Sequence, residues 1–95
     1  MREEAITRIE IDQDGRLCVT SGPTTFEHIY RAAAEVGWDA RSGCLHSPTP
    51  RQATYATWFR QIIAAVVGEY GVRLNPTART VWINVPDAVR DEITG

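Results

Sequence analysis

The sequence predicts an α+β domain: a mainly antiparallel sheet in the order ββαββαββα, with two helices on one face and a short C-terminal helix. Three observations carry that prediction. Residues 5–20 and 72–85 alternate apolar and polar side chains at the two-residue period of strands, with β-branched residues favoured. Residues 55–70 repeat at the 3.6-residue period of a helix. Glycines and Asp-Gly or Asn-Pro pairs punctuate the segments between them.

Ala5–Ile11 reads as the first strand, Gln13-Asp14-Gly15 as a turn and Arg16–Thr20 as the returning strand. The register follows from the pattern. A two-residue Asp14-Gly15 loop would pair Ile11 with Cys18 and mix polar with apolar residues on both faces. A three-residue loop with Gly15 left-handed pairs Ile11 with Leu17 and Ile9 with Val19, which makes one apolar face. Arg8, Glu10 and Cys18 then point to the other face.

Thr24-Thr25-Phe26-Glu27 matches a capping box, so a helix is expected from Thr24 to Val36, ended by a left-handed Gly37. Phe26, Ile29, Tyr30, Ala33 and Val36 would share its apolar face. Trp38–His46 reads as a short, turn-rich hairpin. Thr49-Pro50-Arg51-Gln52 signals a second helix start, with Thr49 as cap and Pro50 in the first position. That helix should run to Tyr70 and stop at Gly71. Val72–Leu74 and Thr80–Val85 read as two strands around an Asn75-Pro76-Thr77 turn, and Pro86–Ile93 as the closing helix.

Ninety-five residues form a single domain, 1–95, which hides roughly two-thirds of its unfolded surface. At 43% hydrophobic and 23% charged residues the composition is that of a globular protein. The longest apolar run, Ile62–Val67, is too short to span a bilayer, and Arg2-Glu3-Glu4 after Met1 is no signal peptide. These features lead us to expect a cytoplasmic protein with reduced cysteines and no membrane association. A net charge of −2 disfavours a nucleic-acid surface, although all ten basic residues are arginines, which suit bidentate capture of carboxylate or phosphate.

The long helix carries an apolar face of Tyr55, Phe59, Ile62, Ile63, Val66 and Tyr70, flanked by Trp58 and Val67. This arc exceeds the stripe of roughly 100° that rests on a sheet, so a second packing partner is required. Ala53, Thr57, Ala64 and Gly68 form a row of small residues behind it, interrupted by Arg60 and Gln61, where another backbone could approach. With Trp82, expected on the open sheet face while Val81, Ile83 and Val85 face the core, these residues are the candidate interface.

Three constellations could carry chemistry. Cys44-x-His46 offers two metal ligands on one side of a strand, but structural zinc needs four and catalytic zinc usually three, so no metal site and no cofactor are expected. A nucleophilic Cys44 with His46 and Asp39 needs a base at hydrogen-bonding distance, which residues two apart on a strand rarely achieve. Arg51, Tyr55 and Trp58 lie at i, i+4 and i+7 on one helix face and make the best ligand site, for an anion or an aromatic group, with Cys44 and His46 nearby. The alternative is a core rim in which Arg51 snorkels past two packed rings.

The segments FEHIYRAAAEVGWD, YATWFRQI and NVPDAVRDEI resemble small bacterial proteins carried on mobile elements, including proteins encoded by integron gene cassettes. The likeness spans Thr24 to Ile93. It implies a compact, cytoplasmic, often oligomeric α+β protein and carries over no catalytic residue. The expectation is therefore a non-enzymatic binding or interaction protein, homodimeric, with a host protein or small ligand as its other partner; the alternative is a small-ligand binder or minor enzyme using Arg51, Tyr55 and Trp58.

Overall fold

The computed structural model describes residues 1–22, 24–33, 35–47 and 54–95. It is an α+β fold in which the described residues form five strands and two α-helices: β1 (Arg2–Ile11), β2 (Leu17–Ser21), β3 (Gly37–Asp39), β4 (Cys44–His46), α1 (Tyr55–Tyr70), β5 (Val72–Ile83) and α2 (Asp87–Thr94). The sheet runs β3-β4-β2-β1-β5; its only parallel pair among the described residues is β1 with β5.

The first hairpin takes the register that its alternation demands, with Ile11 opposite Leu17 and Ile9 opposite Val19. Gly15 is left-handed (φ 80°), and its N–H donates to the Asp12 carbonyl at 3.0 Å. Asp12 holds the turn together. Its Oδ1 accepts from the backbone N–H of Asp14 and of Arg16, both at 2.9 Å, and its Oδ2 accepts from Arg16 Nε at 2.9 Å. Burial alone would raise the Asp12 carboxyl, but these donors and the Arg16 charge outweigh it and hold the group below its ordinary value. A depressed carboxylate stabilises the fold above its unfolded pKa and loses that contribution as pH falls through the folded value. Asp12→Asn should therefore melt lower than wild type at pH 7. The two melting curves should converge below about pH 4, as a thermal-denaturation series across pH would show.

The expected helix over residues 24–36 is not formed. The segment makes tight turns instead, with a single 3₁₀ turn at Ile29–Arg31. Its capping signal is spent elsewhere: Thr24 Oγ1 donates to Glu4 Oε1 at 2.6 Å and accepts from Arg2 Nη2 at 3.3 Å. Phe26, Ile29 and Val36 are all buried, whereas Tyr30, assigned by helical spacing to the same face, is 58% exposed. Three tertiary anchors thus override a short helix that is marginal by itself. Gly37 opens β3 rather than capping a helix; a Cβ there would meet His46 Nε2 at 2.7 Å, so the glycine makes room for the imidazole.

The two strands expected after α1 form one long edge strand. Both halves of β5 lie on β1 rather than on each other: Pro76 pairs with Ile6 and Val81 with Arg8. Four residues, Thr77–Thr80, thus bulge opposite Thr7 alone. The bulge resets the alternation. Trp82 pairs with Ile9 and packs on the core side, while Val81 turns outward at 54% exposure. This reverses the placement expected for both residues; Val85 does pack against the core as expected.

Helix α1 starts after Thr54, whose Oγ1 accepts from Thr57 N at 3.1 Å, and ends at a left-handed Gly71. The cap signal at Thr49–Gln52 lies outside the described residues. Phe59, Ile62 and Val66 pack on Ile6, Ile9, Leu17 and Val19 of the sheet. The wide apolar arc of α1 meets partners within the chain: Tyr70 touches Phe26 edge-on at 5.1 Å, and α2 packs along another side.

Candidate functional site

The sequence-selected ligand site is not assembled as a pocket by the described residues. Trp58 is buried in the core, and the Tyr55 hydroxyl donates to the Gly15 carbonyl at 2.8 Å, tying α1 to the first turn. Arg51, like Ala53 of the small-residue row, lies outside the described residues. The core-rim alternative describes Tyr55 and Trp58.

Two other open sites are formed by the described residues. The first is a groove of about 900 Å³ between the outer side of α1, β5 and α2. Its floor and walls include Ile63, Ala64, Val67, Gly68, Trp82 and Ile93. The small residues are what open it. Ala64 is exposed, and a Cβ on Gly68 would meet nothing within 4 Å. Ala64, Gly68 and Trp82, three members of the candidate interface, thus converge here, while the fourth described member, Thr57, serves the N-cap of α1.

Arginines are the only charged side chains in this groove among the described residues. Arg60 comes from α1, Arg73 from β5 and Arg90 from α2, and no described acidic residue lines it. None of the three makes an ion pair with a described residue. The Arg90 guanidinium lies over the Trp82 ring, 5.0 Å from its centroid. Sequence reading treated Arg60 as an interruption of the small-residue row. Its spacing with Ala64 and Gly68 (i, i+4, i+8) is the signal that places it on the same helix face.

The second site is a depression of about 180 Å³ on the other face of the sheet. Cys44 and His46 meet there as β4 neighbours, and register adds Cys18, which stands opposite His46. Sequence reading did not join the two cysteines, because β2–β4 pairing is a long-range fact. The Ser42 hydroxyl lies 3.0 Å from Asp39 Oδ2 and 3.2 Å from Cys44 Sγ, so its one proton is shared between them. Ser42, followed by the Arg41 N–H, lowers the Asp39 carboxyl. Burial, and then the Arg16 charge, lower His46, which favours a neutral imidazole at neutral pH.

Among the described residues no group of three or more His, Cys, Asp or Glu side chains is placed to hold a metal ion. No helix of the described residues is long and apolar enough to cross a membrane.

The family model of the integron cassette protein Hfx_Cass5 matches residues 4–80. The chain belongs to that family. A solved structure from the mobile metagenome of the North West Arm sewage outfall, integron cassette protein Hfx_Cass5, is 47% identical. The likeness covers 99% of this chain and 94% of that one, with a TM-score of 0.52. No curated protein matches. The Hfx_Cass5 match takes in the strand pairings of the sheet except those of Arg2, Glu3, Val81, Trp82 and Ile83, and it leaves α2 outside. The groove wall formed by Arg90 and Ile93 therefore lies beyond the matched segment.

Proposed function

We propose that this Hfx_Cass5-family protein is a non-enzymatic binding protein whose working surface is the groove between α1, β5 and α2. The observation that carries the reading is charge segregation. A chain of net charge −2 presents an apolar groove whose described charged residues are all arginines. Its volume lies within the roughly 300–1,000 Å³ of small-molecule sites. The matching occupant is a small apolar anion, such as an aromatic or alkyl carboxylate. Its apolar part would lie along Val67, Gly68 and Trp82, and its carboxylate would meet the guanidinium groups. The same arginines oppose self-association through this groove, since an isologous contact would bring them towards their own copies.

A thermal-shift series with decanoate and indole-3-acetate, against their neutral amides, tests the reading. At ten times its Kd a ligand stabilises by about 1.4 kcal/mol, roughly 6–11 °C for a domain of this size. The carboxylates should raise Tm and the amides should not. Arg90→Met, which keeps cover over Trp82 without the charge, should remove most of the shift. Equal shifts from acid and amide would sink the anion assignment.

A homodimer is the second reading, favoured by a different surface. β5 is twelve residues long, lies at the sheet edge and, among the described residues, pairs on one side only, with β1, and Val81 beside that edge is exposed. Light scattering would decide it: a monomeric mass at micromolar concentration removes this reading and leaves the groove untouched. Both cysteines are free thiols, which supports a cytoplasmic setting.

A further inference from the structure

Helix α2 is the least anchored wall of the groove. With eight residues it is too short to persist by itself, since isolated helices below about 12–15 residues are marginal in water. No residue of α2 is buried, and Pro86 at its N-cap gives no side-chain hydrogen bond. Among the described residues no hydrogen bond or ion pair joins α2 to another element. Its bonds stay local, as from the Arg90 N–H to the Pro86 carbonyl and from Thr94 Oγ1 to the Arg90 carbonyl. What holds α2 is packing, chiefly against α1, with Ile93 and the preceding Val85 on the core and the Arg90 guanidinium over Trp82. The link from β5 turns at Asn84, whose φ of 56° is left-handed, a conformation asparagine tolerates better than most residues.

Local stability follows buried contact. A segment with few buried apolar side chains opens at a lower free energy than the core. That describes α2, whereas α1 buries Trp58, Phe59, Ile62 and Val66. Opening at the Asn84 link carries Arg90 and Ile93 away from Arg60 and Val67 of α1 and from Arg73 of β5. The groove is therefore complete only while α2 is docked.

We infer, resting on the groove assignment above, that α2 is a lid which a bound small apolar anion clamps shut. Arg60 and Arg73 belong to the two elements that pack on the core, while Arg90 travels with α2. In the empty groove the like charges of the three arginines oppose docking. An anion among them offsets that repulsion and gives Arg90 a charged partner shared with α1 and β5. The ligand then binds the docked state better than the open one, and that difference shifts the equilibrium towards closure.

Hydrogen exchange of the wild-type protein tests the lid, with decanoate as the probe and decanamide as the neutral control. In the free protein the amides of residues 90–94 should be protected about tenfold less than those of residues 62–66, or weaker still. A ligand that binds only the docked state divides the open population by 1 + [L]/Kd, so decanoate at ten times its Kd should slow residues 90–94 about tenfold. Decanamide should leave them unchanged. Ile93→Ala should speed residues 90–94 about fivefold and leave residues 62–66 as they were.

Equal protection of the two segments in the free protein, or equal acceleration of both by Ile93→Ala, would show that α2 opens only with the whole fold, and the lid would be overturned. A carboxylate that raises Tm without slowing residues 90–94 would also overturn the lid while leaving the groove assignment standing. Failure of both decanoate and indole-3-acetate to raise Tm would remove the groove assignment and the lid together.

Discussion

Phe26→Ala is expected to lower stability by about 3–5 kcal/mol, the range for emptying a buried aromatic site. Natural domains hold only about 5–15 kcal/mol, so this one side chain decides whether the fold survives at 37 °C. Phe26 is 0% exposed and lies in the irregular segment before β3. Its ring meets Trp38 edge-on at 5.6 Å and Tyr70 at 5.1 Å, which joins β3 to the C-terminal end of α1. The Tyr70 hydroxyl then accepts the His28 N–H at 2.8 Å, and Arg31 Nη1 lies 4.0 Å from Glu69 Oε1, two polar ties from this segment to the end of α1. Removing the ring opens a cavity and frees Tyr70, and no local helix is present to retain the segment. Urea denaturation should show the midpoint falling with the slope unchanged. Phe26→Leu should cost about 1–2 kcal/mol, since most of the volume stays. A loss below 1 kcal/mol for the alanine variant would show that the segment is held by its turns rather than by Phe26.

The second large effect belongs to Thr80. Its buried hydroxyl donates to the Ile6 carbonyl at 2.7 Å and accepts the Thr77 N–H at 2.8 Å. This pair of bonds closes the four-residue bulge of β5 over the irregularity of β1 at Thr7. Thr80→Val keeps the shape and removes the hydroxyl, which leaves the Ile6 carbonyl and the Thr77 N–H without it. Each unsatisfied buried group costs about 1–3 kcal/mol, so the expected loss is about 2–4 kcal/mol, with Thr80→Ser nearly neutral by comparison. Because the bulge sets which face Trp82 occupies, the valine variant should also change tryptophan fluorescence before global unfolding. Hydrogen exchange should report faster opening at Thr77–Trp82 than in β2. If the valine variant matches wild type in both stability and exchange, the bulge is stabilised by packing instead.

What was legible in the sequence is what short-range physics dictates. The Asp12–Gly15 turn and the pairing of Ile9 with Val19 follow from side-chain alternation and one left-handed glycine. The end of α1 at Gly71 and its buried stripe of Phe59, Ile62 and Val66 follow from helical period and a C-terminal glycine. Membership of the cassette family was legible too, in segments that run from Phe26 to Ile93.

The rest needed contacts between distant residues. A capping box is a local offer, and Thr24 gave its hydroxyl to Glu4, twenty residues away. Trp82 changed faces because a bulge elsewhere in β5 broke the two-residue period, which no alternation rule registers. Cys18 met Cys44, and Arg60 met Arg73 and Arg90, only when strand order and helix placement closed the distances. By itself the sequence determined the class of fold, its first hairpin and the core face of its long helix, because those depend on neighbours a few residues apart. The tertiary structure alone decided which polar and charged side chains share a cavity, because that depends on which surfaces the buried core brings together.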